Sequence, residues 1–201
     1  MNVADFYKIF EKCIHDFHVL NSLTQKCVNP YAVDSFEAIL YDKNWIDTLQ
    51  WHCEDEIRNP IIKLEDALNF KRKIDMLNQE RTDKVEEMDI YFTNKYSDII
   101  PIENASWNTE SPAWAIDRLS ILALKIYHMN EELQRKDASD AYLSQINYKL
   151  NILLLQKSDL IHSINQLLAD IACGKKIMKV YRQMKMYNDQ EMNPILRKHK
   201  K

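Results

Sequence analysis

The chain has 201 residues, 46% of them hydrophobic and 28% charged, with 27 Lys and Arg against 30 Asp and Glu for a net charge of −3. That balance excludes disordered and collagen-like chains, and a single domain of this length buries roughly 70% of the surface its unfolded form exposes. There is one Gly, where average usage would give about fourteen, so glycine-bearing hairpin turns are absent and the sequence predicts an all-α fold.

In chain order, Phe6, Ile9, Cys13, Phe17 and Leu20 recur at helical spacing and predict an amphipathic helix over residues 4 to 20. Asp34 or Ser35 caps a short helix through Phe36, Ile39 and Leu40, and Asn44 caps another with Trp45, Leu49, Cys53 and Ile57 inward; the two are alternatively one bent element. Asn59-Pro60 supplies a cap and a first-turn proline for a long helix to about residue 94. Residues 97 to 111, with Pro101 and Trp107, lack periodicity and form the loop best suited to carry function. Ser111-Pro112 opens a helix to about residue 134, and residues 138 to 173 hold a seam broken only by Lys157, with Gly174 as C-cap. A last helix runs to about residue 188, and Asn193-Pro194 starts a further turn. The expectation is one helical-bundle domain over residues 1 to 201, about six helices with long antiparallel partners, and residues 174 to 201 as a basic C-terminal helix and tail.

Four widely spaced cysteines, Cys13, Cys27, Cys53 and Cys173, form no CxxC pair and read as reduced core thiols. The first residues lack a basic stretch followed by an apolar one, which argues against a secretory signal. The longest uncharged run in the hydrophobic helices, Leu160 to Ala169, falls short of the roughly 18 residues of a membrane span. A cytoplasmic protein without a membrane span is expected.

Residues 174 to 201 hold nine Lys or Arg against Asp189 and Glu191, a local charge of +7 that leaves −10 for residues 1 to 173. Lys175, Lys179 and Arg182 fall on one face of the expected last helix, a stripe suited either to phosphate groups or to solvent. Nucleic-acid binding by this segment, with Tyr181 and Tyr187 interleaved, is disfavoured by the acidic body.

The helix after Pro112 is apolar on nearly every side from Leu119 to Ile126, so it belongs at the centre of the bundle. Its polar residues Asp117, Arg118, Ser120, Lys125 and His128 then need partners, because a buried unpaired charge costs several kcal/mol. Asn78 and Arg81 share a face with Ile74, Leu77, Val85 and Met88 on the preceding helix and look like the other half. Two readings follow: Asp117 accepts from Arg81 and sets helix register, or Arg81, Asp117, Arg118, Lys125 and His128 line a site for an anionic small molecule, with Lys179 and Arg182 adding charge and His128 exchanging protons.

The strings SPAWAIDRLSILALKIYHM at 111 to 129, KVYRQMKMYND at 179 to 189 and KRKIDMLNQERTD at 71 to 83 resemble an uncharacterised bacterial family catalogued as domain of unknown function 4254. The resemblance spans most of the chain and implies no assigned reaction. The occurrence of relatives near cell-envelope glycan genes implies a phosphorylated sugar or nucleotide as ligand.

Other chemistries fare worse. A di-iron bundle needs Glu-x-x-His pairs, of which Asp159 and His162 are one imperfect version, and the Cys and His residues show no zinc-type clustering, so no metal site is expected. The pattern is also similar to that of all-α nucleotide pyrophosphohydrolases, with Glu54, Asp55, Glu86 and Asp89 as magnesium carboxylates. A protein adaptor acting through Trp107 and Trp114 or the basic tail is the rival from another class. No motif fixes a cofactor or decides whether the protein is an enzyme.

Overall fold

A computed structural model describes residues 2–186 and 189–198. Asn2 begins the first helix, α1 (Val3–Leu20), by accepting from the amide of Ala4 at 3.0 Å, and Asn21 ends it in the left-handed region at φ 47°. Ser35 caps α2 (Phe36–Ile57), Ser111 with Pro112 in the first turn opens α4 (Pro112–Leu133), and Ser139 caps α5 (Asp140–Ala172). Between them lies α3 (Leu64–Lys95), and α6 (Pro194–Lys198) is the single turn expected after Asn193. The described residues thus form an all-α fold of six helices, the first five of them packed as a bundle.

Residues 36 to 57 are one helix, not two. Asn44 lies mid-helix, fully buried, and its amide donates to Ser120 Oγ at 2.9 Å instead of to a helix terminus. The Asn59-Pro60 expectation also fails. Asn59 Oδ1 accepts from the amide of Ile61 and its carbonyl accepts from Ile62, closing a turn, so α3 starts at Leu64 without a side-chain cap.

Helices α2 and α3 pack antiparallel: Gln50 donates to Asn78 at 3.0 Å, while Asp42 lies 3.7 Å from Lys84 toward the other end. Helix α4 packs on α5, and α1 crosses α2, α4 and α5. The core runs through Phe6, Phe10, Phe17, Leu40, Tyr41, Met88, Phe92, Ile116, Leu119 and Ile164. Lys157, the interruption in the α5 seam, places its Nζ 3.7 Å over the Tyr7 ring and 3.6 Å from Glu11, so its alkyl stem covers the seam while its charge is shared. Of the cysteines, Cys13 and Cys53 are buried as expected, but Cys27 and Cys173 are exposed. Among the described residues no helix is long and apolar enough to cross a membrane.

The expected basic helix after Gly174 is not formed. The chain instead pairs with the 97–111 loop: Ile102 donates to Gly174, Ser106 to Lys175, and Ile177 back to Ser106, all at 2.9–3.0 Å. It then runs along α3 without helical structure, Met184 turning through the left-handed region at φ 46°, and there Lys185 donates to Asn78 O at 3.0 Å and to Thr82 Oγ1, and the Gln183 amide to Glu86. Tyr187 and the expected end of that helix at residue 188 lie outside the described residues. Gly174 makes the turn possible. Its φ is +73°, and a Cβ there would sit 2.8 Å from Ile100 O. Gly174→Ala is therefore expected to lose about 2 kcal/mol in urea denaturation; an unchanged midpoint would show that the turn relaxes freely.

Candidate functional site

The centre of the bundle is charged. Lys43, wholly buried on α2, donates to Asp47 Oδ2 at 2.5 Å one turn later and reaches Asp117 Oδ1 on α4 at 2.7 Å. Arg81, from α3, binds the same Asp117 carboxylate with both Nε at 2.8 Å and Nη2 at 2.5 Å, and its Nε is 3.6 Å from Asp47 Oδ1. Ser120 donates to Asp47 Oδ2 at 2.6 Å and receives Asn44. Three helices are thereby locked by a set that is neutral when all four charged groups are ionised. Burial opposes ionisation of Asp117, but Lys43 and Arg81 outweigh it and hold its carboxyl below the usual range. Asp47 is pushed upward, by burial first and by the Asp117 charge, with Lys43 pulling the other way. A proton on Asp47 leaves the set with one positive charge.

This network is the floor of a cleft of about 290 Å³ between α2, α3 and α4. Trp51, Ile121 and Leu124 form its apolar walls, and Gln50, Glu54, Asp55 and Arg58 its polar rim. Two atoms of the network make no hydrogen bond. Bidentate pairing with Asp117 uses Nε and Nη2 of Arg81 and leaves Nη1 over, and Asp47 Oδ1 is buried without a hydrogen bond. Arg81 thus has a donor to spare beside the cleft, and Asp47 an acceptor just beneath its floor, 3.6 Å from Arg81 Nε.

The Arg81–Asp117 pairing read from the sequence is present, but the seven expected ligand residues do not converge on one place. Arg118, exposed and bound to Glu110 at 2.5 Å, lines a separate groove between α4 and α5 together with Lys125, Gln156 and Asp159. Ile121 is the wall between that groove and the central cleft. Lys179 lies 5.1 Å from the ring centres of Trp107 and Tyr181, on a third cavity enclosed by the 97–111 loop and the extended C-terminal segment. Arg182 faces Glu86 and Asp89. The extended backbone is why no cationic stripe forms: Lys175, Lys179 and Arg182 share a face only in a helix. The magnesium quartet is split in the same way, Glu54 and Asp55 lining the central cleft and Glu86 and Asp89 a different cavity on α3.

His128 stands behind Trp51, stacked on it at 4.8 Å and 11°. It meets His18 from α1 and His52 from α2, and one nitrogen of each ring lies within 4.8 Å of the others. Histidines that show no clustering in the sequence are therefore brought together by three helices. Burial, then the neighbouring imidazoles, pushes His52 down to about 4; burial, partly offset by the bond to Ile14 O, also lowers His18. The sequence reading missed Lys43, Asp47, His18 and His52. A continuous α2 would have exposed the first two, since residues 40, 43, 44 and 47 then form one face that begins with Leu40.

Searches of curated proteins and of solved structures find no match. The family described as "Protein of unknown function (DUF4254)" matches residues 37–180, which include all of α2 but its first residue, all of α3, α4 and α5, and every residue of the cleft. The chain belongs to this family.

Proposed function

We propose that the protein binds a small phosphorylated metabolite, a sugar phosphate or mononucleotide, in the cleft between α2, α3 and α4. The observation that carries this reading is Arg81 Nη1, left over by the bidentate pairing with Asp117, with Asp47 Oδ1 just beneath it, at the base of an apolar-walled cavity. An anionic oxygen suits the guanidinium, whose plane Asp117 already fixes, and a hydroxyl suits the carboxylate. Trp51 offers a flat face for a sugar ring or a base, and Arg58, which a phosphate would draw from its pairing with Glu54, a second cation at the rim. The volume, about 290 Å³, matches a monosaccharide or a single nucleotide better than a polymer.

Hexose phosphates and nucleoside monophosphates tested by thermal shift should include one that raises Tm by roughly 5–10 °C at a hundred times its Kd. Arg58→Glu, at an exposed position tied only to Glu54, should weaken that ligand at least tenfold without altering the melting of the free protein. No shift across the panel, or an equal shift in Arg58→Glu and in a cleft-filling Ile121→Trp, contradicts the reading.

A further inference from the structure

The three histidines behind Trp51 have an arrangement that ordinary packing does not require. His18 Nδ1 is 2.6 Å from Ile14 O, and since a carbonyl only accepts, that nitrogen carries the proton and Nε2 presents a lone pair. His128 Nδ1 is 2.7 Å from Glu131 Oε2, which fixes the same tautomer. Its Nε2 is buried and has no hydrogen-bond partner. His52 Nε2 lies 3.1 Å from His18 Nε2 and donates to it in the ion-free protein, moving its proton to Nδ1 when both lone pairs are needed. That contact satisfies His18 and leaves His128 Nε2 orphaned, a costly state for a buried acceptor.

Aromatic side chains hold the rings in place. Phe17 stacks on His52 at 5.2 Å and 6°, Trp51 on His128, and Tyr127 lies 4.4 Å from His18. Three imidazoles from three helices, two of them oriented through Nδ1 by a carbonyl and a carboxylate, reproduce the outer-shell logic of protein metal sites. Zn–N bonds of about 2.0–2.1 Å in tetrahedral geometry separate ligand nitrogens by about 3.3 Å. The His18–His52 spacing is already close to this, and the 4.8 Å limit on the whole set leaves about 1.5 Å of closure, within reach of side-chain rotation.

We propose that His18, His52 and His128 bind a divalent transition-metal ion of the zinc class through their Nε2 atoms, with a fourth position left for water or another ligand. Neutral imidazoles without a thiolate suit Zn2+, and Co2+ reports on the same geometry. The site stands on its own residues and does not depend on what the central cleft binds.

The test uses the full chain with any affinity tag removed, stripped with a chelator and titrated with Co2+ and then Zn2+. One equivalent is expected to bind, Co2+ giving the intense visible absorption of four-coordinate geometry and Zn2+ displacing it. His52→Gln and His128→Asn should each weaken binding by roughly a hundredfold or more, and Glu131→Gln, which is at the surface and leaves the fold intact, by roughly tenfold to a hundredfold. His162→Ala, an exposed histidine on α5, should bind as the parent does. Binding well below one equivalent, or unchanged affinity in Glu131→Gln and in either folded histidine variant, overturns the proposal.

Discussion

Replacing Lys43 by Met is expected to destabilise the protein by about 3–5 kcal/mol, a fall in Tm of roughly 10 °C. Met matches the volume of the lysine stem, so little packing is lost. What changes is charge: Asp47 and Asp117 remain at the bundle centre, each nearly inaccessible, with only Arg81 to balance two carboxylates. Combining Lys43→Met with Asp47→Asn removes one charge of each sign and leaves Arg81–Asp117 intact. That double variant should recover a large part of the loss, a coupling a double-mutant cycle in urea measures directly. A loss below about 1 kcal/mol in Lys43→Met, or no recovery in the pair, would mean that the network carries no such load.

The second large effect has the opposite sign. Asp89 is buried on α3 with Oδ1 unpartnered. Burial pushes its carboxyl up to about 6, the Glu86 charge adding to the rise and a hydrogen bond with Ser111 working against it. The folded pKa lies above the unfolded one, so the native state holds the proton more tightly between about pH 4 and 6. The contribution of this group is fully present below about pH 4 and is lost as pH rises through 6. Asp89→Asn, neutral throughout, should therefore match the parent near pH 4 and exceed it above pH 7 by up to about 3 kcal/mol. Urea denaturation from pH 4 to 8 checks this: the difference should open over that interval, and a gap independent of pH contradicts it.

Much of the fold was legible because its boundaries are chemical. Ser35 and Ser111-Pro112 sit where caps are required and Gly174 directly after the Cys173 cap of α5, and the apolar spacing of α4 and α5, and of α1 as far as Phe17, matches the faces they bury, whereas Leu20 is exposed. At Asn59-Pro60 a local turn closed by Ile61 and Ile62 takes the place of a helix start, and in the other two errors a local signal is overridden by a distant partner. Asn44 looks like a cap, yet it lies inside α2 because Ser120, 76 residues on, takes its amide. The basic stretch after Gly174 has helical spacing, but bonds to the 97–111 loop and to Thr82 on α3 keep it out of a helix.

The candidate site was half visible. Arg81 and Asp117 stood out because each interrupts an apolar face, and they do pair. Arg118 and Lys125, seven residues apart, share a face of α4 and line one groove on the α5 side, while Asp117 points to the core and His128 toward Trp51, because a helix turns about 100° per residue. The cluster of His18, His52 and His128 joins helices separated by 34 and 76 residues, a proximity that only tertiary packing creates.

The most direct test of the central claim is a crystal structure of the protein with the phosphorylated sugar or nucleotide that gives the largest thermal shift. The phosphate is expected within hydrogen-bond distance of Arg81 Nη1, with a ring against Trp51 and a hydroxyl on Asp47. Ligand density at Trp107 and Lys179 with the central cleft empty would contradict it.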